Sequence, residues 1–302
     1  MASHKIDIRH VGDHRRQWRD CRYVYPVIAR RSKGLSIGVN VNPDKRCNFA
    51  CAYCQVDRHI RRPPHEVDIP TLRRELLLAV AAAMDGSLWA EPKFASVPPP
   101  LRRINDIAFS GDGEPTCLAN FDEAVAAAAD VRRAAGCEDA KIVVITNATQ
   151  LSQPQFQRAL PILDANNGEI WAKLDAGTDD YFQTVNRPHP RVALDEVVKD
   201  IADIAHGRAV VIQSLFLKLS GHGPTDAEIA AYGRRLKDIL AAGGTIKLVQ
   251  AHTIARPPMM PTASALSDAE LDAIAQRIRA DLLPAAVPVE VYYGAAVPPQ
   301  KR

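Results

Sequence analysis

No apolar run in the sequence approaches the roughly 18 residues needed to cross a bilayer, since the stretch 76–84 stops at nine. The first 23 residues are polar and charged, without the apolar core of about 7–15 residues that marks a secretory signal. Together these absences predict a cytoplasmic protein with no membrane partner, in which thiols stay reduced. No segment repeats at a fixed period, which argues against a solenoid. Cysteine is scarce, 6 in 302 residues, so a disulfide-dense secreted scaffold is excluded. With 47% hydrophobic and 24% charged residues, and 16 Gly and 22 Pro without periodic placing, neither a disordered chain nor a collagen-like one fits. A chain of this length buries about three quarters of its extended surface and needs no staple to fold.

Net charge is also small, at +3, but it is unevenly spread. Residues 1–66 hold 14 Lys/Arg against 6 Asp/Glu, a net of +8, which leaves −5 for the remaining 236. Arg15, Arg16, Arg19, Arg22, Arg30, Arg31 and Lys33 crowd one stretch, and Arg58, Arg61 and Arg62 form a second group. Such a surface either attracts an anion, as nucleic acid or an acidic electron-donor protein, or is a solvated basic face without a partner. The pI of about 8.5 falls short of the value above about 9 typical of a dedicated nucleic-acid domain.

Beyond the basic arm, short β-rich runs alternate with longer helical patterns. The runs at 36–41, 104–109, 141–146, 169–174, 209–217, 245–250 and 287–292 read as strands. Amphipathic or Ala-rich segments at 69–84, 118–135, 153–163, 194–205, 226–241 and 268–282 read as helices. Thr225 and Ser267 stand where caps belong, and Gly136 and Gly243 where helices stop. The alternation predicts an α/β fold with a parallel sheet. Six βα units favour a partial (β/α)6 barrel of the TIM type over a doubly wound sheet, with too few strands for a full eight-unit barrel. The expected layout is a basic extension at 1–34, a barrel at 35–293 and a frayed tail at 294–302. Two stretches break the rhythm as loops. These are 91–103 and 253–266, and the second, with Pro257, Pro258 and Pro261, reads as a lid.

The cysteines are placed unevenly. An even scatter would put about one in fifty residues, yet Cys47, Cys51 and Cys54 fall within eight, directly after the first predicted strand. The spacing lets one tight loop wrap three thiolates around one face of a metal centre while leaving a coordination position open. Thiolates are soft ligands that suit an iron–sulfur cluster or zinc. A structural zinc site with His59 as fourth ligand is the competing reading, and three unligated structural cysteines the weaker one.

The segment CNFACAYC, with an aromatic residue before the last cysteine, resembles the cluster motif of the radical S-adenosylmethionine (SAM) superfamily. A second motif agrees: Ser110-Gly111-Asp112-Gly113-Glu114-Pro115-Thr116, after the second predicted strand, is similar to that superfamily's GGEP segment. The resemblance covers roughly residues 34–250. It implies that Cys47, Cys51 and Cys54 ligate a [4Fe–4S] cluster whose open iron chelates SAM. Reductive cleavage of SAM would then give methionine and a 5′-deoxyadenosyl radical. A low-potential electron donor such as flavodoxin or ferredoxin is the implied protein partner.

Active sites of βα barrels lie at the C-terminal ends of strands, and polar residues collect there in this sequence. Gly111, Asp112 and Gly113 would bring backbone close to SAM. Glu114 either meets the cationic cofactor or braces its own loop. By the resemblance, Asn147 faces the methionine moiety and Tyr53 the adenine. Lys173 and Asp175, on alternate positions of a buried strand, need partners or a ligand. Either they pair structurally or they face SAM or substrate, and His252 and Arg187 carry the same two readings. Cys21, Cys117 and Cys137 read as isolated thiols, with Cys117 an outside candidate for a substrate or second-cluster contact.

The phrases SGDGEPT, KLDAGT and Asn186-Arg187-Pro188 resemble most the wybutosine-synthesis type of radical SAM protein. That resemblance implies a tRNA base as substrate, which the basic arm suits. Proteins of that type bind a second cluster through additional N-terminal cysteines, whereas this sequence has only Cys21 there, so one cluster is expected. A radical SAM enzyme acting on a small molecule, peptide or protein is the alternative, and a non-catalytic zinc or iron–sulfur module the remote one.

Overall fold

The computed structural model describes residues 16–29, 31, 33–57 and 66–294. The chain divides into two compact units. One comprises Met1–Cys47, His59–Thr146 and Gln150–Ile170, and the other Asn48–Arg58, Asn147–Thr149 and Trp171–Arg302.

The first unit begins with β1 (Val24–Ala29), antiparallel to β2 (Gly34–Val39), with Val24 opposite Val39 and Ala29 opposite Gly34. Parallel strands follow: β3 (Ile104–Phe109) beside β2, then β4 (Lys141–Thr146) beside β3. All six residues of β2 are buried, as expected of an inner strand covered on both faces. Helices α1 (Ile69–Met84), α2 (Phe121–Ala134) and α3 (Pro154–Asp164) alternate with the strands. Asp68 caps α1 by accepting from the Thr71 amide at 3.0 Å. The α2 and α3 faces meet through Phe121, which lies 5.6 Å from Phe109 and 5.9 Å from Phe156 between ring centroids.

The strand β1 lies inside the segment that the sequence reads as a basic extension. Its signal is hidden by the flanking arginines, and Pro26 points away from a strand unless the strand is at an edge. It is an edge strand here, first in the sheet. The buried carboxylate of Glu75 on α1 holds it there, accepting from the backbone amides of Arg22 and Tyr23 at 2.8 Å and of Val24 at 3.2 Å.

The strand β5 (Gly168–Lys173) begins in the first unit and ends in the second. In the second unit it is joined in parallel by β6 (Ala209–Leu215), followed by β8 (Thr245–His252) and β10 (Val289–Tyr292). The helices α4 (Asp179–Val185), α5 (Leu194–Gly207), α6 (Asp226–Ala241) and α7 (Asp268–Asp281) alternate with them. A small antiparallel sheet pairs β7 (Leu217–Leu219) with β9 (Ala263–Ala265). The main sheet runs in sequential order, β1-β2-β3-β4-β5-β6-β8-β10, without the reversal that defines a doubly wound sheet. Its mostly parallel α/β topology is that of a partial βα barrel.

Two expectations shift in detail, and one helix has no counterpart in the sequence pattern. The predicted strand at 209–217 breaks at Phe216, whose amide turns to the His252 carbonyl at 2.8 Å and so starts β7. The segment 253–266 is not wholly loop, because β9 falls within it and pairs with β7. Helix α4 has only seven residues, too few for a periodic apolar pattern, yet Thr178 caps it by accepting from the Tyr181 amide. His59, Arg15, Arg58, Arg61, Arg62 and the tail from 295 onward lie outside the described residues.

Tyr232 on α6 is fully buried, with its hydroxyl 2.6 Å from Ser214 Oγ and its ring 5.3 Å from that of Phe216. Burial, opposed in part by the Ser214 hydrogen bond, pushes the phenol above its ordinary value of 10.0. A phenol raised in the folded state stabilises fully below its unfolded pKa, and that contribution is lost as pH climbs past it. The urea midpoint of the protein should therefore fall above about pH 10. Tyr232→Phe should start lower by about 1 kcal/mol, for the lost hydrogen bond, and fall less steeply. Equal slopes would place the alkaline loss in other groups.

Candidate functional site

In the first unit, the chain leaving β2 turns through Asn40 and Asn42 toward Cys47. Asn40 sets the loop that follows β3: its Nδ2 donates to Asp112 Oδ2 at 2.7 Å, and its Oδ1 accepts from the Asp112 amide at 3.1 Å. A side chain at Gly113 would collide with the backbone carbonyl of Arg46, and one at Gly111 with the Asn40 amide. These two glycines permit a close approach of the chain to itself, the loop after β3 against the segment leading into Cys47.

Asp112 also forms an ion pair with Arg16, so this member of the basic arm is committed to the loop. Glu114 is buried and braces its own loop. Its Oε1 accepts from the Thr116 hydroxyl and the Thr146 hydroxyl, both at 2.6 Å, and from the Thr116 amide at 3.2 Å.

In the second unit, residues 48–54 carry Cys51 and Cys54 and are held by the end of α4 and the segment after it. The Ala52 amide donates to the Val185 carbonyl at 2.7 Å, the Ala50 amide to Arg187 at 3.0 Å, and the His189 amide to Asn48 at 2.7 Å. Arg187 adopts the left-handed region, φ 49°, and its exposed side chain turns to the Thr184 carbonyl at 3.2 Å. The sequence flagged Asn186-Arg187-Pro188 only by resemblance; in the fold that segment is the backbone template for the cysteine loop. Asn147, buried, donates to Asn48 Oδ1 at 2.7 Å and accepts from the Thr149 hydroxyl at 2.8 Å. Its contact is thus with the cysteine loop. On the other side, the Met259 amide donates to the Cys54 carbonyl at 2.9 Å.

The polar centre of this unit is Asp175, 2% exposed at the end of β5. Its Oδ1 accepts from the Leu215 amide at 2.8 Å and Lys173 Nζ at 3.2 Å. Its Oδ2 accepts from the Tyr53 hydroxyl at 2.5 Å and Asn186 Nδ2 at 2.7 Å. The Lys173 ammonium also sits 5.1 Å from the centre of the Tyr53 ring, a cation–π contact. Burial, then the neighbouring Asp175 and Cys51, hold the Tyr53 phenol well above its ordinary range, so it donates as a neutral hydroxyl. Tyr53, Lys173 and Asp175 are brought together. His252 is buried at the end of β8, with Nδ1 3.4 Å from the Gln250 carbonyl oxygen, and Leu215 is its register partner. Asn186 and Asn48 were missed as individual site residues, because asparagine in a loop reads first as turn chemistry.

All three loop cysteines are reduced and half-buried. A buried apolar wall of Ala52, Val185, Leu215, Leu217 and Ile254 lies beneath Tyr53. The Val56 amide lies 3.4 Å from Cys54 Sγ, the kind of N–H to sulfur contact that surrounds iron–sulfur ligands. Among the described residues no three His, Cys, Asp or Glu side chains are already gathered around one point. The donor set still fits an iron–sulfur cluster in number, softness and loop placement. Among the described residues no donor reaches Asn186 Oδ1, which is buried beside this loop. Elsewhere, burial raises the Cys21 thiol to about 11 and also raises that of Cys137, which disfavours the thiolate a metal needs.

No family model matches the chain. The UPF0026 protein MJ1312 of Methanocaldococcus jannaschii is 27% identical over 179 residues, 58% of this chain and 46% of that protein. The UPF0026 protein slr1464 of Synechocystis is 25% identical over 179 residues, 59% of this chain and 57% of that protein. A GTPase Obg of Brachyspira hyodysenteriae is 23% identical over 178 residues but is covered over only 22% of its length. The chain thus spans about half the length of the curated UPF0026 relatives it matches. Among solved structures, a radical SAM methyltransferase from Sphaerobacter thermophilus superposes with a TM-score of 0.61 at 17% identity, covering 89% of this chain and 69% of that one. A TYW1 structure with a lysine–pyruvate adduct bound gives 0.51 at 14% identity, covering 82% and 74%. The chain shares the fold of these radical SAM proteins.

Removing the Asp175 carboxylate strands the Lys173 ammonium and three further donors. Asp175→Ala should cost about 3–5 kcal/mol, read as a lower urea midpoint at unchanged slope. A loss below about 1 kcal/mol would show that the four donors find water instead.

Proposed function

We propose that the chain is a radical SAM enzyme in which Cys47, Cys51 and Cys54 hold a [4Fe–4S] cluster and SAM binds beside it. What carries this reading is three reduced thiols within eight residues, on the loop leaving β2 of a fold shared with radical SAM proteins. When bound, the two groups supply a one-electron cleavage of SAM that yields methionine and a 5′-deoxyadenosyl radical.

The chain's own residues would support that chemistry in distinct ways. Asn48, fixed by Asn147, and Tyr53, fixed by Asp175, orient the cysteine loop from its two ends. The apolar wall under Tyr53 keeps water from the reacting centre. Lys173 places a cation that can meet an anionic group of a ligand while Asp175 keeps it from being an isolated charge. Glu114, by contrast, braces its loop in the geometry described above. A low-potential donor, flavodoxin or ferredoxin, would deliver the electron.

Anaerobic reconstitution tests this reading directly. The protein should take up about four irons per chain and form 5′-deoxyadenosine from SAM with dithionite. Replacing any one of Cys47, Cys51 or Cys54 by Ala should abolish both, whereas replacing Cys21, Cys117 or Cys137 should change neither. Full iron and 5′-deoxyadenosine in a loop variant would overturn the assignment.

For the substrate we favour a tRNA base, on the basic first fifth of the chain and the partial likeness to a TYW1 structure. One observation favours a second reading, a small molecule, peptide or protein. Arg16 is paired with Asp112, and Arg19 donates to Glu91 at 2.9 Å, so both would have to leave a carboxylate to meet a phosphate. Salt-titrated tRNA binding decides between them. An RNA partner predicts affinity that falls by a power of the salt concentration, with a slope smaller by about one for each arginine lost among Arg15, Arg16 and Arg19. Binding no tighter than to an unrelated polyanion would favour the second reading.

A further inference from the structure

Asn186 follows α4 and is 2% exposed. Its Nδ2 lies 2.7 Å from Asp175 Oδ2, 3.4 Å from the Tyr53 hydroxyl and 4.0 Å from Cys51 Sγ. All three neighbours can accept, and a flipped amide would set oxygen against a carboxylate oxygen. The orientation is therefore settled by chemistry, with nitrogen toward Asp175. The consequence falls on the other end of the amide. Asn186 Oδ1 is buried and no donor among the described residues reaches it. A buried acceptor left without a donor costs more than an ordinary hydrogen bond contributes, so such an atom calls for an explanation.

Asp175 does not offer one. A carboxylate has about four acceptor positions, and Leu215, Lys173, Tyr53 and Asn186 fill them. The substrate-side candidate Asp175 is thus a positioning residue, and the acceptor next to it that still lacks a donor is Asn186 Oδ1. Resting on the proposed function, we infer that Asn186 is a ligand-binding residue whose amide oxygen accepts a hydrogen bond from a hydroxyl or amine of SAM held beside Cys51. Asp175 pins the nitrogen end of the amide and thereby aims the oxygen. SAM has such donors in two places, the α-ammonium of its methionine part and the amine and ribose hydroxyls of its adenosine part.

The test measures affinity and iron content on the anaerobically reconstituted protein, by equilibrium dialysis with SAM, with methionine and with 5′-deoxyadenosine. Asn186→Leu keeps the shape and removes both polar ends; Asn186→Asp keeps an acceptor but gives up the amide donor to Asp175. With iron content unchanged, Asn186→Leu should weaken SAM binding about tenfold. Asn186→Asp should weaken it less. Only one of the two fragments, methionine or 5′-deoxyadenosine, should lose affinity in Asn186→Leu, and that fragment carries the donor. A purely structural role predicts the opposite order, since Asn186→Asp sets two carboxyl groups against each other. That order, unchanged SAM affinity in both variants, or loss of iron from both, would overturn the inference. Wild-type protein that takes up iron but no SAM would instead overturn the proposed function.

Discussion

A carboxylate buried at the end of a strand must collect its own solvation shell from the protein, and Asp175 does so from four separate stretches of chain. Tyr53 comes from the cysteine loop, Lys173 from β5, Leu215 from the end of β6, and Asn186 from the segment after α4. None of the four can move far without stranding a buried polar atom, and each such loss costs about 1–3 kcal/mol. Among the described residues the charge itself is met by Lys173. The net contribution of such a pair to stability is small, because desolvation offsets attraction. Its main effect is geometric: it fixes where the cysteine loop, the end of β6 and the template segment meet.

The first unit solves the same problem differently. Its loop after β3 also carries two carboxylates, but each is answered close at hand. Asp112 is held by Asn40 and Arg16, while Glu114 is held by Thr116 and Thr146. Gly113 then allows the loop to press against Arg46, one residue before Cys47. So the segment into the first cysteine and the segment around the other two are each fastened by asparagine amides and carboxylates. Such short, planar groups lose little rotamer freedom on ordering. They suit a loop that must hold still while carrying thiols that have not yet been drawn together.

Much of this arrangement could be read from the residues alone, and what could not has definite physical reasons. Strand β4 is a largely buried β-branched run and β3 ends in a buried apolar one, and the limits of both fall where the pattern puts them. Strand β1 is obscured because its register depends on Glu75, fifty residues away in sequence. Helix α4 is obscured because seven residues are too few to show a period. At the site, the spacing of Cys47, Cys51 and Cys54 is visible at once, since it is contained within eight consecutive residues. The need of Lys173 and Asp175 for partners is equally visible from their alternation on a buried strand. Which partners they take is not, because Tyr53 and Asn186 come from 122 and 11 residues away. Long-range pairing leaves no local signature.

The two glycines of the Gly-Asp-Gly-Glu segment show how one residue type can serve two arguments. Read from sequence, a glycine beside a strand end permits the backbone to approach a ligand. In the fold, the space above Gly111 and Gly113 is already taken by Asn40 and Arg46. The close approach is real, but its object is the chain itself. Both residues therefore allow the loop after β3 to pack against the chain leading into Cys47. Among the described residues of the second unit, the buried acceptor with no donor is an asparagine oxygen, and the cation paired with Asp175 is Lys173. The orientation of both side chains depends on the Asp175 shell. A substitution that leaves every cysteine in place can still impair the site by loosening that shell.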